Sequence, residues 1–156
     1  MKTKRTILLL LSVLTALTVL GQHLTIRSYI EKTSVSLKTG TALVIENDYQ
    51  WEYGAFYQES SLAQKVFMSP DQISNLPRVY EKNFGGLFFA APVVQGKSYN
   101  VKLNVRAGLG NGEWFIITPS VLANYELFNR INVSAGLGAR AFRPTMQAGI
   151  SMKLHQ

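Results

Sequence analysis

Apolar and polar residues alternate with period two along most of the chain, most cleanly over 114–128, WFIITPSVLANYELF. The odd positions Phe115, Ile117, Pro119, Val121, Ala123, Tyr125 and Leu127 are apolar, while the even set includes Thr118, Ser120, Asn124 and Glu126. Successive side chains of a strand point to opposite faces, so this run predicts a strand with one oily and one polar side. Its same-face positions span about 20 Å at roughly 3.3 Å per residue. That approaches the apolar band of a transmembrane barrel, about 25 Å tall.

The same pattern predicts strands over 99–109 (Tyr99, Val101, Leu103, Val105, Ala107 and Leu109 against Asn100, Lys102, Asn104 and Arg106), over 131–143 and over 146–155. Segments 34–46 and 50–60 alternate less sharply, and 24–30 is weaker still. Segment 79–94, with Gly85-Gly86 and LFFAAPVV, is apolar on both faces, so pattern alone does not say which side faces in. Hairpin-length turns are expected at Asn47-Asp48, Gly96-Lys97, Asn111-Gly112, Asn129-Arg130 and Arg143-Pro144, with Asn-Gly the strongest because both residues accept positive φ. Only 61–78, SLAQKVFMSPDQISNLPR, is a long connection. NVRAGLG at 104–110 returns as NVSAGLG at 132–138, which fits a meander in which equivalent strands sit two apart.

The start of the chain bears on compartment. Lys2, Lys4 and Arg5 precede an apolar run from Ile7 to Leu20 and then Gly21, the layout of a signal peptide and too short for a comfortable helical span. The expectation is a signal peptide over 1–21 and one β-barrel domain over 22–156. Without Lys2, Lys4 and Arg5 the basic count falls from 16 to 13 against 9 acids. The remaining basic residues are scattered singly, so no nucleic-acid partner is expected. The chain has no Cys, which excludes disulfides, thiolate metal sites and cysteine nucleophiles.

Alternation alone also suits a soluble barrel, with the apolar faces turned inward. A soluble exterior is about a quarter to a third charged, whereas the polar faces of the last four strands are mainly Gly, Ser and Asn with single charges. Trp114, Tyr99, Tyr125 and Phe128 fall near strand ends, like the aromatic girdles of membrane barrels. The fold class expected is therefore an all-β, up-and-down antiparallel transmembrane β-barrel of about eight strands. The alternative is a soluble, exported, lipocalin-like barrel holding a hydrophobic ligand.

The signal ending in VLGQ, WEYGAFYQ at 51–58, FGGLFFAAPVV at 84–94 and MQAGISMKL at 146–154 together resemble the small outer-membrane β-barrel proteins of the OmpA/OmpX kind, in particular the barrel-domain proteins of Bacteroidota. The resemblance implies eight antiparallel strands, both termini in the periplasm, long loops outside and a location in the outer membrane of a Gram-negative bacterium. Outer-membrane lipid is then the first partner, and the chain is expected to be a monomer.

Catalytic chemistry finds little support. The only histidines, His23 and His155, lie at the two ends of the expected domain, where a nucleophilic triad would rest on fraying ends. Gly136-x-Gly138-x-x-Ala141 formally matches a dinucleotide fingerprint, but alternation runs straight through it and no helix follows. No enzyme activity, cofactor or metal is expected. Glu52, Lys102, Arg106, Glu126 and Arg140 all fall on polar faces. If those faces line one lumen, the charges can pair across it and plug it, because about eight strands leave an interior just filled by side chains. Loop 61–78 carries Val66, Phe67, Met68, Ile73 and Leu76, more apolar surface than a solvated loop needs, suited either to folding back over the barrel mouth or to meeting an extracellular or envelope protein.

Overall fold

The computed structural model describes residues 23–33, 36–60, 83–111, 114–140 and 142–154. The expected signal segment 1–21 and the loop 61–78, with Val66, Phe67, Met68, Ile73 and Leu76, lie outside these residues. Eight strands follow one another: β1 His23–Thr33, β2 Leu37–Glu46, β3 Glu52–Ser60, β4 Asn83–Gln95, β5 Tyr99–Gly110, β6 Trp114–Phe128, β7 Ile131–Arg140 and β8 Arg143–Lys153. Each pairs antiparallel with its sequence neighbours, and β1 pairs β8, closing the barrel. Closure leaves no sheet edge, the condition under which strands can cross hydrocarbon.

The register fixes the geometry. A path from His23 through Glu46, Glu52, Ala90, Asn104, Ser120, Gly138 and Thr145 returns to β1 at Thr33, ten residues beyond its start. A stagger of this size in an eight-stranded barrel belongs with strands tilted by about 35–45°. Tilted strands of about 9–11 residues are long enough to cross a bilayer, and β3, the shortest here, has 9. Connections after β1, β3, β5 and β7 lie at one end, the loop end. Those after β2, β4 and β6 lie at the other, the terminal end, with His23 and Leu154.

The apolar positions face outward. Leu103, Val121, Leu137 and Met146 form one continuous cross-strand row on the outside, with Leu103 47 % and Val121 49 % exposed. Inward positions of the same strands, Lys102, Asn104, Thr118, Ser120, Ser134 and Gln147, are buried. This does not favour the lipocalin-like alternative, because a hydrophobic ligand would have to displace paired charges while the apolar wall stayed in water. Near the terminal end, Trp51, Tyr99, Tyr125 and Phe128 are exposed on the outer side, and Trp51 packs on Phe89 with ring centroids 5.2 Å apart.

The two ambiguous segments have physical explanations. β1 extends well beyond 24–30, and outward Ser28 and Lys32 interrupt the apolar pattern of Leu24, Ile26 and Ile30. β4 turns Leu87 and Phe89 outward and Phe84, Phe88 and Ala90 inward, so aromatic rings enter the lumen. The wall also narrows where side chains would collide. Gly86 and Gly108 face each other across β4 and β5, and a Cβ on either would run into the opposing backbone. A Cβ on Gly40 would lie 2.5 Å from the Tyr29 ring, which covers that stretch of β2 from inside.

The turns follow their chemistry. Asn47 Oδ1 accepts from the amides of Tyr49 (3.1 Å) and Trp51 (3.0 Å), and Gln50 takes φ 63°. Asn111 has φ 54°, as an Asn-Gly hairpin requires. The turn expected at Arg143-Pro144 is instead built on Phe142, φ 63°, because β7 and β8 stay paired to the last rung, Ala139 with Pro144 and Arg140 with Arg143.

Val121 tests which face meets lipid. In protein refolded into lipid vesicles, Val121→Arg is expected to lower the unfolding free energy by about 2–4 kcal/mol, the cost of a cation near the bilayer midplane. A thiol in Val121→Cys is expected to react with a lipid-soluble reagent and not with a water-soluble one. Reaction with neither would contradict the outward placement.

Candidate functional site: the charge network of the lumen

An eight-stranded barrel has no room for bulk water at its centre. Charges on its inner face must therefore find partners within it, and here they pair in two clusters. Toward the loop end, Glu31 on β1 is fully buried, at 0 % exposure, and its carboxylate lies between two guanidinium groups. Arg106 Nη2 donates to Glu31 Oε2, and Arg140 Nη2 lies 2.5 Å from Glu31 Oε1. Arg106 Nη1 also donates to Gln58 Oε1 (2.9 Å), which accepts from the Tyr29 hydroxyl as well (3.1 Å). Arg140 Nε donates to Thr118 Oγ1 (3.3 Å).

The inward aromatic rings complete this cluster. Arg140 sits over the Phe84 ring, 4.6 Å from its centroid. Arg106 lies 5.4 Å from the Tyr29 ring centroid and 5.7 Å from that of Phe56, and Phe56 meets Phe84 edge to face at 4.8 Å. Ring faces carry negative charge density, so they support cations that have left water. The inward rings of β3 and β4, Phe56 and Phe84, thus lie against the two arginines.

Toward the terminal end, Glu52 on β3 takes two donors: Arg27 Nη2 at 2.7 Å and Lys102 Nζ at 2.7 Å. Lys102 reaches Glu46 as well, at 3.3 Å. Beyond them an amide chain follows, in which Asn124 Nδ2 donates to Asn100 Oδ1 (2.7 Å) and Asn100 Nδ2 to Gln50 Oε1 (3.4 Å). A polar cavity of about 80 Å³ opens here, lined by Arg27, Glu52 and Lys102 together with Lys97, Glu126 and Lys153.

Of the charges expected to pair, Glu52 and Lys102 bind each other directly, while Arg106 and Arg140 share Glu31. Glu126 departs from the expectation. It is half-buried at the terminal mouth and makes no ion pair with any described residue, because β6 runs past the paired layer there. Sequence reasoning missed Arg27, Glu31 and Glu46 as members. The signal for the first two was the alternation Thr25, Arg27, Tyr29, Glu31, Thr33, hidden by the polar outward residues of β1.

The arrangement is suited to holding the wall together and filling its interior. Among the described residues no group of three or more His, Asp or Glu side chains is placed to hold a metal. A concavity of about 770 Å³ lies on the outer wall beside Ile30, Thr41, Tyr57 and Ile150.

No protein-family profile matches the chain, and no curated protein matches it in sequence. Among solved structures, a designed transmembrane β-barrel is similar over 85 % of this chain and 95 % of its own, at 10 % identity and a TM-score of 0.65. Neisserial surface protein A is similar over 86 % and 97 % at 13 % identity, TM-score 0.45. The KdgM porin in complex with disordered oligogalacturonate is similar over 84 % and 99 % at 10 % identity, TM-score 0.40. The first likeness is one of fold: this chain has the architecture of a transmembrane β-barrel.

Glu31 and Glu126 separate paired from unpaired charge. Glu31→Gln leaves two buried guanidinium groups facing a neutral amide, and is expected to cost about 3–5 kcal/mol in urea unfolding from lipid vesicles. Glu126→Gln is expected to change stability by less than about 0.5 kcal/mol.

Proposed function

We propose that the chain is a non-enzymatic outer-membrane barrel protein of a Gram-negative bacterium, monomeric and sealed by its own side chains. In this reading it serves as a rigid membrane platform rather than as a solute channel. Loop 61–78, with Val66, Phe67, Met68, Ile73 and Leu76, is the surface that meets an extracellular or envelope protein. The observation that carries the membrane reading is the inverted burial: ion pairs inside, and outside a continuous apolar wall that includes Leu103, Val121, Leu137 and Met146.

The apparent signal peptide and the resemblance to OmpA/OmpX-like barrels of Bacteroidota support the outer membrane over other membranes. Connectivity supports the placement of the loop, because β3 ends and β4 begins at the end opposite His23 and Leu154. A barrel with both termini in the periplasm presents that end outward. The Glu31 and Glu52 clusters crossing the lumen support the sealed reading, for a solute would have to separate buried charge pairs to pass.

Cell fractionation tests the location and planar-bilayer recording the function. The protein is expected in the outer-membrane fraction, to require detergent for release and to migrate faster on SDS gels unheated than boiled. Recovery in the soluble periplasmic fraction would refute the membrane reading. The purified barrel is expected to show no steady conductance; a stable open-pore current would refute the sealed lumen while leaving the location intact.

A further inference from the structure

Between the two ion-pair clusters lies a small cavity lined by Arg27, Tyr29, Phe56, Asn104, Arg106 and Gln147. The space open to the centre of a water molecule is about 10 Å³, close to one water's worth. Four buried polar atoms of its lining have no hydrogen-bond partner within the protein: Arg27 Nε, Arg106 Nε, Asn104 Oδ1 and Gln147 Oε1. All four side chains are more than nine-tenths buried. Two of these atoms are donors and two are acceptors.

Their orientations are set by bonds on the other side. Arg27 spends Nη2 on Glu52, and Arg106 spends Nη1 and Nη2 on Gln58 and Glu31, which leaves each Nε–H free. The Ser120 hydroxyl donates its one proton to the Asn104 backbone carbonyl (3.4 Å) and so accepts from Asn104 Nδ2 (3.0 Å). The Asn104 amide is thereby fixed with its carbonyl oxygen unused. A buried acceptor or donor left unpaired costs about 1–3 kcal/mol.

The geometry points to a site for one buried water molecule at the middle of the lumen, held by Arg27, Arg106, Asn104 and Gln147, that joins the two ion-pair clusters into one network. Water matches the set: it accepts from the two Nε–H groups and donates to the two carbonyl oxygens. A cation would face two guanidinium groups, and an anion would face two carbonyl oxygens. Apolar walls from Ala42, Phe56 and Phe88 limit the occupancy. Through this molecule Arg106, bound to Glu31, is linked to Arg27, bound to Glu52.

The test is a high-resolution crystal structure of the refolded full barrel, paired with water-to-protein cross-relaxation by NMR in detergent micelles. One density peak is expected within about 2.7–3.2 Å of the four atoms, with cross-peaks from a long-lived water to the Arg27 and Arg106 Nε–H protons. Gln147→Met removes one acceptor without touching the Asn104–Ser120 pair, and is expected to abolish the cross-peak to Arg27. An empty cavity in the wild-type protein would overturn the proposal. So would an anomalous peak there in crystals grown in bromide, or an unchanged water in Gln147→Met.

Discussion

A carboxylate with no exposure to water, Glu31, held between Arg106 and Arg140, is the interaction on which the rest of the interior depends. Its three members come from β1, β5 and β7, far apart in sequence and on different sides of the barrel. None of them is tolerable alone in a lumen too narrow for bulk water, since an unpaired buried charge costs several kcal/mol. Together they require that the barrel close with one register. A slip of one residue in β1, β5 or β7 would exchange that strand's inward and outward sets, taking Glu31 or an arginine out of the lumen and an apolar side chain into it.

The wall answers the same demand. Arginines need partners beyond carboxylates, and Tyr29, Phe56 and Phe84 supply ring faces. Rings and guanidinium groups need space, and Gly40 leaves room for Tyr29. The outer surface is left to residues excluded from this network, mainly Leu, Val, Ile, Met and the outward aromatic rings. Polar interior and apolar exterior are thus two results of one constraint, and they suit a bilayer better than water.

Much of this was legible in the sequence. Strands β5 and β6 stand out because nearly every outward residue, from Tyr99 to Leu109 and from Phe115 to Leu127, is apolar. The polar side that carries Lys102, Arg106 and Arg140 followed from period two, the meander order from the repeat of NVRAGLG as NVSAGLG, and the count of eight from the resemblance to small outer-membrane barrels. Harder to read were places where a residue serves the tertiary network instead of the local pattern. Ser28 and Lys32 face outward and disguised β1, and with it Glu31, the partner of two arginines. Phe84 and Phe88 face inward and disguised the sides of β4. Arg143-Pro144 looked like a turn by composition, yet strand pairing carried on through it and Phe142 took the positive φ. Glu126 lay on the correct face but beyond the layer where partners exist, a distance along the barrel that alternation does not encode.

The central claim is that Glu31 and Arg106 stabilise the barrel through each other across the lumen. A double-mutant cycle measures this directly, using Glu31→Gln, Arg106→Gln and the combined variant unfolded by urea from lipid vesicles. The double variant is expected to be less destabilised than the two single losses combined, with a coupling of about 1–3 kcal/mol. Losses that add to within about 0.5 kcal/mol would mean that the two side chains act independently, and would contradict it.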